Sequence, residues 1–428
     1  MRKIIQRQLK FLAKTILAKY HPLVVGITGS VGKTSAKEAI FTVLSAKNNA
    51  RQNIKNYNNE IGVPLTIIGA ESPGRSIFGW FIVFIKALKL ILIKSKHYPE
   101  ILILEMGVDH PGDMDYLLDI VKCQIGVVTL IGPVHLEFFG SIEKIQKEKG
   151  KLIEGLQKDG YAILNYDNEK TRQIKKISKS KTLTYGFDQG ADVRAQEMIF
   201  SMGEDKNVRG VSFKLTYLGS SVPVYLPNIL GNSAVYAALA GATVGISQEM
   251  NLIEIATALR NFKSPRGRMN LIAGVKNTFI IDDTYNSSPQ AAISAIGVLK
   301  EMPSTTDADK IAVLGDMLEL GDYSQEGHRE VGKYLAKLGI NKLITVGECS
   351  RDIDRGAKES GMNEDNIFHF ANSQAAGAFL QEIIRRGDLI LVKGSQGMRM
   401  EKIVKEIMAE PQKAPELLVR QDGRWLKK

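Results

Sequence analysis

Residues 24–35 read VVGITGSVGKTS. An apolar run, Leu23-Val24-Val25, leads into the loop Gly29-Ser30-Val31-Gly32. Lys33-Thr34-Ser35 and a helix-prone segment reaching Ala46 follow. Strand, glycine loop and helix in that order predict a phosphate-binding loop. Glycines let consecutive backbone N–H groups turn toward one anion. The N-terminus of the helix adds the positive end of its dipole. Lys33 reaches the outer phosphates, and the Thr34 hydroxyl is a ligand for Mg²⁺. The loop is a shortened form, because G-x-x-x-x-G-K-[ST] would need a glycine at position 27, where Ile27 stands.

A chain of 428 residues exceeds one small core, so two or three domains are expected. Lys plus Arg number 57 against 46 Asp plus Glu, a net charge of +11. That excess favours anionic partners: nucleotides, phosphorylated substrates or an acidic membrane surface. No zinc-finger spacing and no aromatic RNA-binding signature is present, so nucleic acid is not expected. The two cysteines, Cys123 and Cys349, lie far apart and form neither a disulfide framework nor a thiolate metal site, which points to a reducing cytoplasm. The basic N-terminus is interrupted every few positions by Lys or Arg, unlike a signal-peptide core.

Residues 1–20 repeat Ile5, Leu9, Leu12 and Ile16 at helical spacing and carry no acid. This basic amphipathic helix either docks on the nucleotide domain or attaches to a membrane surface. Residues 53–66, NIKNYNNEIGVPLT, read as an Asn-rich loop, neither strand nor core helix, with side chains suited to a polar ligand. Residues 77–93, IFGWFIVFIKALKLILI, are slightly short for a membrane span and broken by Lys86 and Lys89, so a buried or interfacial helix is expected. Continuous apolar strands follow at 101–104, ending in Glu105, and at 125–130, running toward His135. Charged or imidazole groups just past a strand's carboxyl end stand where open α/β sheets bind ligands. A helix over 142–156 carries Lys147, Lys149 and Lys151, and a further strand is expected at 161–164. Short alternating runs within 185–226 suggest a small antiparallel patch, and an Ala-rich helix follows at 233–244.

From about residue 263 strand-like runs recur at 279–281, 311–314, 343–346 and 389–392 with helical patterns between them, a second α/β domain. Ser288-Pro289 reads as an N-cap and first helical residue, which makes 282–286 a strand-to-helix loop.

Taken together, TGSVGKTS, NYNNEIGVP, LEMG (104–107), HLEFFGS (135–141), KEKG (147–150), GRM (267–269), DDTYNSSP (282–289), LGDMLELG (314–321) and LVKGSQGMRMEK (391–402) resemble the Mur ligase family, and within it the branch that adds D-alanyl-D-alanine. The motifs fall in order over most of the chain. The resemblance implies an α/β fold: a P-loop parallel-sheet central domain over 22–262 and a Rossmann-like C-terminal domain over 263–428. The helix 1–21 precedes them, and an apolar helical insertion (75–96) and the antiparallel patch (185–226) belong to the central domain. It implies an ATP-dependent amide ligase that phosphorylates the terminal carboxylate of a nucleotide-linked peptide and lets the amine of D-alanyl-D-alanine displace phosphate. ATP would lie on Gly29, Ser30, Val31, Gly32, Lys33, Thr34 and Ser35, and against Asp283, Tyr285 and Asn286. Two Mg²⁺ ions would be held by Thr34, Glu105, His135 and Lys149, the last as a carbamate; taken alone, Lys149 reads as a solvated helix lysine. Lys33, His135, Lys149 and Arg268 would be catalytic. Asn56, Asn58, Asn59, Lys393 and Ser395 would meet the substrates.

Two departures stand out. Where the family has G-x-H-N-x-x-N before its Ala-rich helix, this chain has Gly231-Asn232-Ser233-Ala234-Val235-Tyr236-Ala237. The family's N-terminal uridine-nucleotide domain is not expected, because the P-loop arrives after barely twenty residues. The same motifs also suit a related ligase acting on another nucleotide-peptide or a polyglutamate. A third reading is a nucleotide-binding module at the membrane surface without ligase activity. Contact with an inner-membrane surface is expected through 1–20 and 75–96.

Overall fold

The computed structural model describes residues 2–54, 57–133, 136–204, 207–304, 307–423 and 425. The chain divides into two compact units. The first is Met1–Met198 with Phe213–Tyr225 and Val235–Lys263; the second is Ile199–Ser212 with Leu226–Ala234 and Ser264–Lys428.

The first sheet is built from β1 (Leu23–Thr28), β2 (Ala50–Gln52), β3 (Ile101–Glu105), β4 (Ile125–Val128), β5 (Tyr161–Asn165), β6 (Lys181–Gly186), β7 (Val193–Met202), β8 (Val208–Tyr217) and β9 (Ser220–Pro227). Their order is β2-β3-β1-β4-β5-β6-β7-β8-β9, and every pair from β2 to β7 is parallel. The continuous apolar runs of β3 and β4 are buried along their whole length, as strands covered on both faces must be. The run after β6 is an up-and-down extension of the same sheet. β8 and β9 are joined through Leu218 and Gly219, both at positive φ, the backbone of a tight hairpin turn.

The helices of this unit that matter for the site are α1 (Arg2–Tyr20), α2 (Lys33–Ser45), α3 (Gly62–Ile68), α4 (Ile77–Leu92), α5 (Asp113–Ile120), α6 (Leu136–Phe139) and α7 (Ile142–Glu154). The apolar stripe of α1 goes inward: Leu9, Leu12, Ala13 and Ile16 join the core around β1, β3 and α3. Burying each of the larger ones stabilises the unit by roughly 1.5–3 kcal/mol. The Lys19 ammonium donates to the Leu90 and Ile91 carbonyls (3.1 and 2.7 Å), and the Tyr20 hydroxyl donates to Leu90 and Ile93, tying α1 to the end of α4.

The Asn-rich segment is not all loop. Its second half opens α3, every residue of which is buried. The Asn59 carboxamide oxygen accepts from the Ile61 and Gly62 N–H groups (3.2 and 3.0 Å), which starts the helix, and Pro64 sits in its first turn where no N–H is needed.

The second unit holds β10 (Asn270–Ala273), β11 (Phe279–Asp283), β12 (Lys310–Gly315), β13 (Lys342–Val346), β14 (Ile367–Phe370) and β15 (Leu389–Lys393) in the order β10-β11-β15-β12-β13-β14. Only β10 runs antiparallel to its neighbour. Ile280, Val313, Ile344, Ile390 and Val392 centre its separate core.

Candidate active site

In the first unit the strand order reverses around β1, which lies between β3 and β4. Ligands of open parallel sheets bind beyond the carboxyl ends of the strands at such a point. The phosphate-loop residues leave β1 there. Gly29 has φ 147°, and a Cβ on it would stand 2.1 Å from the Thr129 hydroxyl oxygen, so only glycine fits. Gly32, at φ 87°, caps α2. The loop is fastened to the end of β4: the Ser30 N–H donates to the Leu130 carbonyl (2.6 Å) and the Thr129 hydroxyl donates to the Val31 carbonyl (2.6 Å). The first intrahelical bond of α2 is Ala36 N–H to Gly32 carbonyl. The N–H groups of Lys33, Thr34 and Ser35 lie in the first turn of α2, where the positive end of the helix dipole favours an anion. The Lys33 ammonium folds back on the Gly29 carbonyl (2.8 Å), over the loop an incoming phosphate would occupy.

Glu105 ends β3, directly beside Ile27 of β1, and is 5 % exposed. Asn58 donates to its carboxylate (3.2 Å). Sequence reasoning missed the residue that positions it. The Asn53 carboxamide accepts from the Glu105 N–H (2.6 Å) and donates to the Glu105 carbonyl (3.2 Å). The Asn53 carbonyl in turn accepts from the buried Lys37 ammonium (2.8 Å). The available signal was an Asn directly after the short β2, at the carboxyl edge of the sheet. Asn59 serves the start of α3 through its carboxamide oxygen, which acts as a structural cap. Asn56 and His135 lie outside the described residues.

Lys149, on α7, is not the solvated lysine its helix pattern allows: it is 1 % exposed, and its ammonium donates to the Val108 carbonyl at 3.4 Å. Burial, with the Lys33 charge second, pushes its pKa down to about 7 against the pull of Asp109, Glu148 and Asp113. At neutral pH a large fraction is therefore free amine, the form that attacks an electrophile such as CO₂. Neighbouring Glu148 accepts from the Gly112 and Met114 N–H groups (2.9 and 3.1 Å) and fixes α7 against the start of α5. Among the described residues no three His, Cys, Asp or Glu side chains gather into a metal cluster. The donor set that is described, the Thr34 hydroxyl and the Glu105 carboxylate, is hard oxygen, which suits Mg²⁺ completed by phosphate oxygens and water.

Where the family's His and Asn residues are missing, the Tyr236 hydroxyl donates to Asp167 (2.7 Å), just past β5, and the Tyr236 ring meets Phe187 edge-on at 4.9 Å.

The second unit gathers its own set around the loop after β11. The Lys393 ammonium, at the end of β15, donates to the Asp283 carboxylate (2.7 Å) and the Asn286 carbonyl (2.8 Å). Lys393 is 2 % exposed and holds Asp283 in place. Ser395 is likewise buried, its hydroxyl accepting from the Leu318 N–H (2.9 Å). The Arg268 guanidinium lies 4.3 Å over the Tyr285 ring, and its buried Nε has no hydrogen-bond partner among the described residues. Asp282 is wholly buried beside them; burial first, then Asp283 and Glu401, raise its pKa to about 7. Ser288 caps the following helix, with Pro289 at its first turn. Arg420 was invisible to motif reading: it donates to the Thr284 and Tyr285 carbonyls (3.1 and 2.6 Å) and to the buried Glu401 carboxylate (2.9 Å), and so holds the loop from behind.

Comparison with known proteins gives two family matches: the Mur ligase middle domain over residues 85–245, and the Mur ligase, glutamate ligase domain over residues 267–396. The chain is 30% identical over 406 residues to the UDP-N-acetylmuramoyl-tripeptide–D-alanyl-D-alanine ligase of Bacillus subtilis (strain 168), covering 94% of this chain and 79% of that one. To the enzyme of the same name from Escherichia coli (strain K12) it is 31% identical, covering 90% and 76%. Among solved structures it is similar to a MurF ligase from Thermotoga maritima in complex with ADP: TM-score 0.76, 25% identity, 95% of this chain and 84% of that chain. MurF from Acinetobacter baumannii matches with TM-score 0.75 at 25% identity, over 93% and 79%.

Proposed function

We propose that this chain, which belongs to the Mur ligase family, is an ATP-dependent ligase that joins D-alanyl-D-alanine to a UDP-N-acetylmuramoyl-tripeptide in peptidoglycan synthesis. The γ-phosphoryl group passes from ATP to the terminal carboxylate of the tripeptide and leaves ADP. The free amine of D-alanyl-D-alanine then attacks the acyl carbon, phosphate departs, and the amine nitrogen loses a proton as the amide forms. The observation that carries the reading is the cluster past β1 and β3: an anion-binding turn with Lys33, a positioned Glu105, and a buried Lys149 whose amine is half-neutral near pH 7.

Each residue has a task in this scheme. A carboxylate approaching a triphosphate meets like charge, which cations must offset. The Lys33 ammonium leaves the Gly29 carbonyl for the outer phosphates, and the first-turn N–H groups of α2 hold them. Thr34 and Glu105, with His135 and a Lys149 carbamate, would hold Mg²⁺ ions, which neutralise charge as it develops on the transferred phosphoryl group. Asp283, Tyr285, Asn286 and Arg268 face ATP, with Lys393 fixing Asp283. Asn58 and Asn56 would meet the peptide substrate.

The domain division follows the same reading, 22–262 central and 263–428 C-terminal. We place the enzyme in the cytoplasm, in keeping with two free cysteines, and at an inner-membrane surface. The test is phosphate release by the purified protein given ATP and the UDP-linked tripeptide, with and without D-alanyl-D-alanine, and product mass. Release that depends on the dipeptide and yields the pentapeptide supports the reading. Release that occurs only with a different acceptor overturns it.

A further inference from the structure

We propose that α4 is an interfacial membrane anchor that lies flat on an anionic bilayer. This narrows the membrane contact to one helix, since the apolar stripe of α1 is buried in the core. α4 has a body side and an open side. Val83 and Ala87 are buried, with Trp80, Phe84, Leu90 and Ile91 packed against the core. At about 100° per residue, Ile77, Leu88, Phe81, Leu92, Ile85 and Phe78 fall in succession on the opposite side. All six are exposed, from 48% for Ile85 to 79% for Leu92. A continuous stripe of this kind marks an interaction surface rather than scattered surface hydrophobes.

Length and charge identify the occupant. Sixteen residues rise about 24 Å, short of the roughly 30 Å hydrocarbon core. No helix among the described residues is long and apolar enough to cross a membrane. The stripe therefore lies in the interface plane, where apolar burial and attraction to acidic lipid act together. From Ser72 to Pro99 the chain carries Arg75, Lys86, Lys89, Lys94 and Lys96 and no acid. Lys89 borders the stripe, and Lys94 and Lys96 follow its end, all three exposed. Two copies of this face would set lysine against lysine with no acid on the segment to offset them, whereas acidic headgroups complement it.

The experiment is co-sedimentation of the full chain with vesicles of phosphatidylglycerol and phosphatidylcholine, and of phosphatidylcholine alone, at low and high salt. Pelleting is expected on the anionic vesicles and is expected to weaken with salt. F81S/I85S/L88S removes three exposed side chains; at about tenfold per side chain it should lower partitioning about 1000-fold. K89Q/K94Q should lower it about 25-fold, at about fivefold per lysine, on anionic vesicles only. The variants carry changes only at exposed positions, and unchanged thermal unfolding verifies their fold. Absence of lipid-dependent pelleting overturns the proposal. So does equal binding by the triple-serine variant, or a lipid-free dimer that this variant abolishes. Lys33→Ala serves as the control: it should stop phosphate release and pellet like the parent, which separates failure of the anchor from failure of the ligase reading.

Discussion

Asp282→Asn should make the second unit more stable at pH 8 than the parent, while the advantage shrinks toward pH 5. Asp282 is wholly buried; its Oδ1 accepts from the Thr284 N–H and hydroxyl (3.3 and 2.6 Å), and its Oδ2 has no partner among the described residues. Its pKa rises from 3.8 in the unfolded chain to about 7 in the fold. Between those values the folded state holds more protons than the unfolded one, so stability falls as pH rises from about 4 through about 7. The full cost of ionisation is about 4 kcal/mol, at 1.36 kcal/mol per pKa unit. Roughly 2 kcal/mol of it has accrued by pH 5 and nearly all by pH 8. The amide keeps the Oδ1 acceptor and cannot ionise. Any fixed cost of its NH₂ group is the same at both pH values, so the parent–variant difference should move by about 2–3 kcal/mol in favour of the variant. Urea unfolding followed by fluorescence of Trp425, in a Trp80→Phe background, reads the second unit. A difference that stays constant within about 0.5 kcal/mol between pH 5 and pH 8 would refute the buried-charge argument.

Lys33→Ala should lower ligation by about 10²–10³, the usual loss for one electrostatic stabiliser, with unchanged circular dichroism; steady-state phosphate release measures it. Lys149 should take up ¹³CO₂ and show a carbamate carbon signal that grows as pH rises through about 7, where its amine loses its proton. Lys149→Ala should abolish ligation, with partial recovery in acetate, and a fully active Lys149→Ala would exclude the carbamate. Arg420→Ala leaves the buried Glu401 without one of its two arginine partners and frees the 284–285 carbonyls. It should destabilise the second unit by about 3–5 kcal/mol and raise the KM for ATP, both read on the purified variant.

What could be read from the sequence divides along a physical line. Strand–loop–helix order, apolar run length and glycine placement are local properties. They disclosed β1, the phosphate loop, α2, the buried strands ending in Glu105 and Lys393, and the Ser288-Pro289 cap. Side-chain commitments are not local. Asn53, Asn58 and Asn59 sit in one short stretch of similar composition, yet one clamps the Glu105 backbone, one meets its carboxylate and one starts α3. Only the pairing of β2 with β3 separates these roles. The pairing of Lys393 with Asp283 is equally non-local: β11 and β15 run side by side, which places Asp283 opposite it. Arg420 is 136 residues from Thr284 in the chain and belongs to no motif, so its role exists only once the second unit has closed.

The two basic apolar segments make the same point about burial. α1 and α4 both mix large apolar residues with Lys or Arg and carry no acid, though α1 is far richer in basic residues. The absence of acids alone does not say which of them faces the core. The difference lies in how many apolar positions each helix has relative to the surface available to cover them. The main stripe of α1, Leu9, Leu12 and Ile16, packs against α3 and the sheet, with Ile4 and Phe11 left exposed. α4 is apolar nearly all round, so packing Val83, Ala87 and Trp80 inward leaves Phe78, Phe81, Ile85 and Leu88 with no cover. A helix apolar on every side is stable only when something covers the second side, and in this chain the lysines at its edge favour a surface of negative charge.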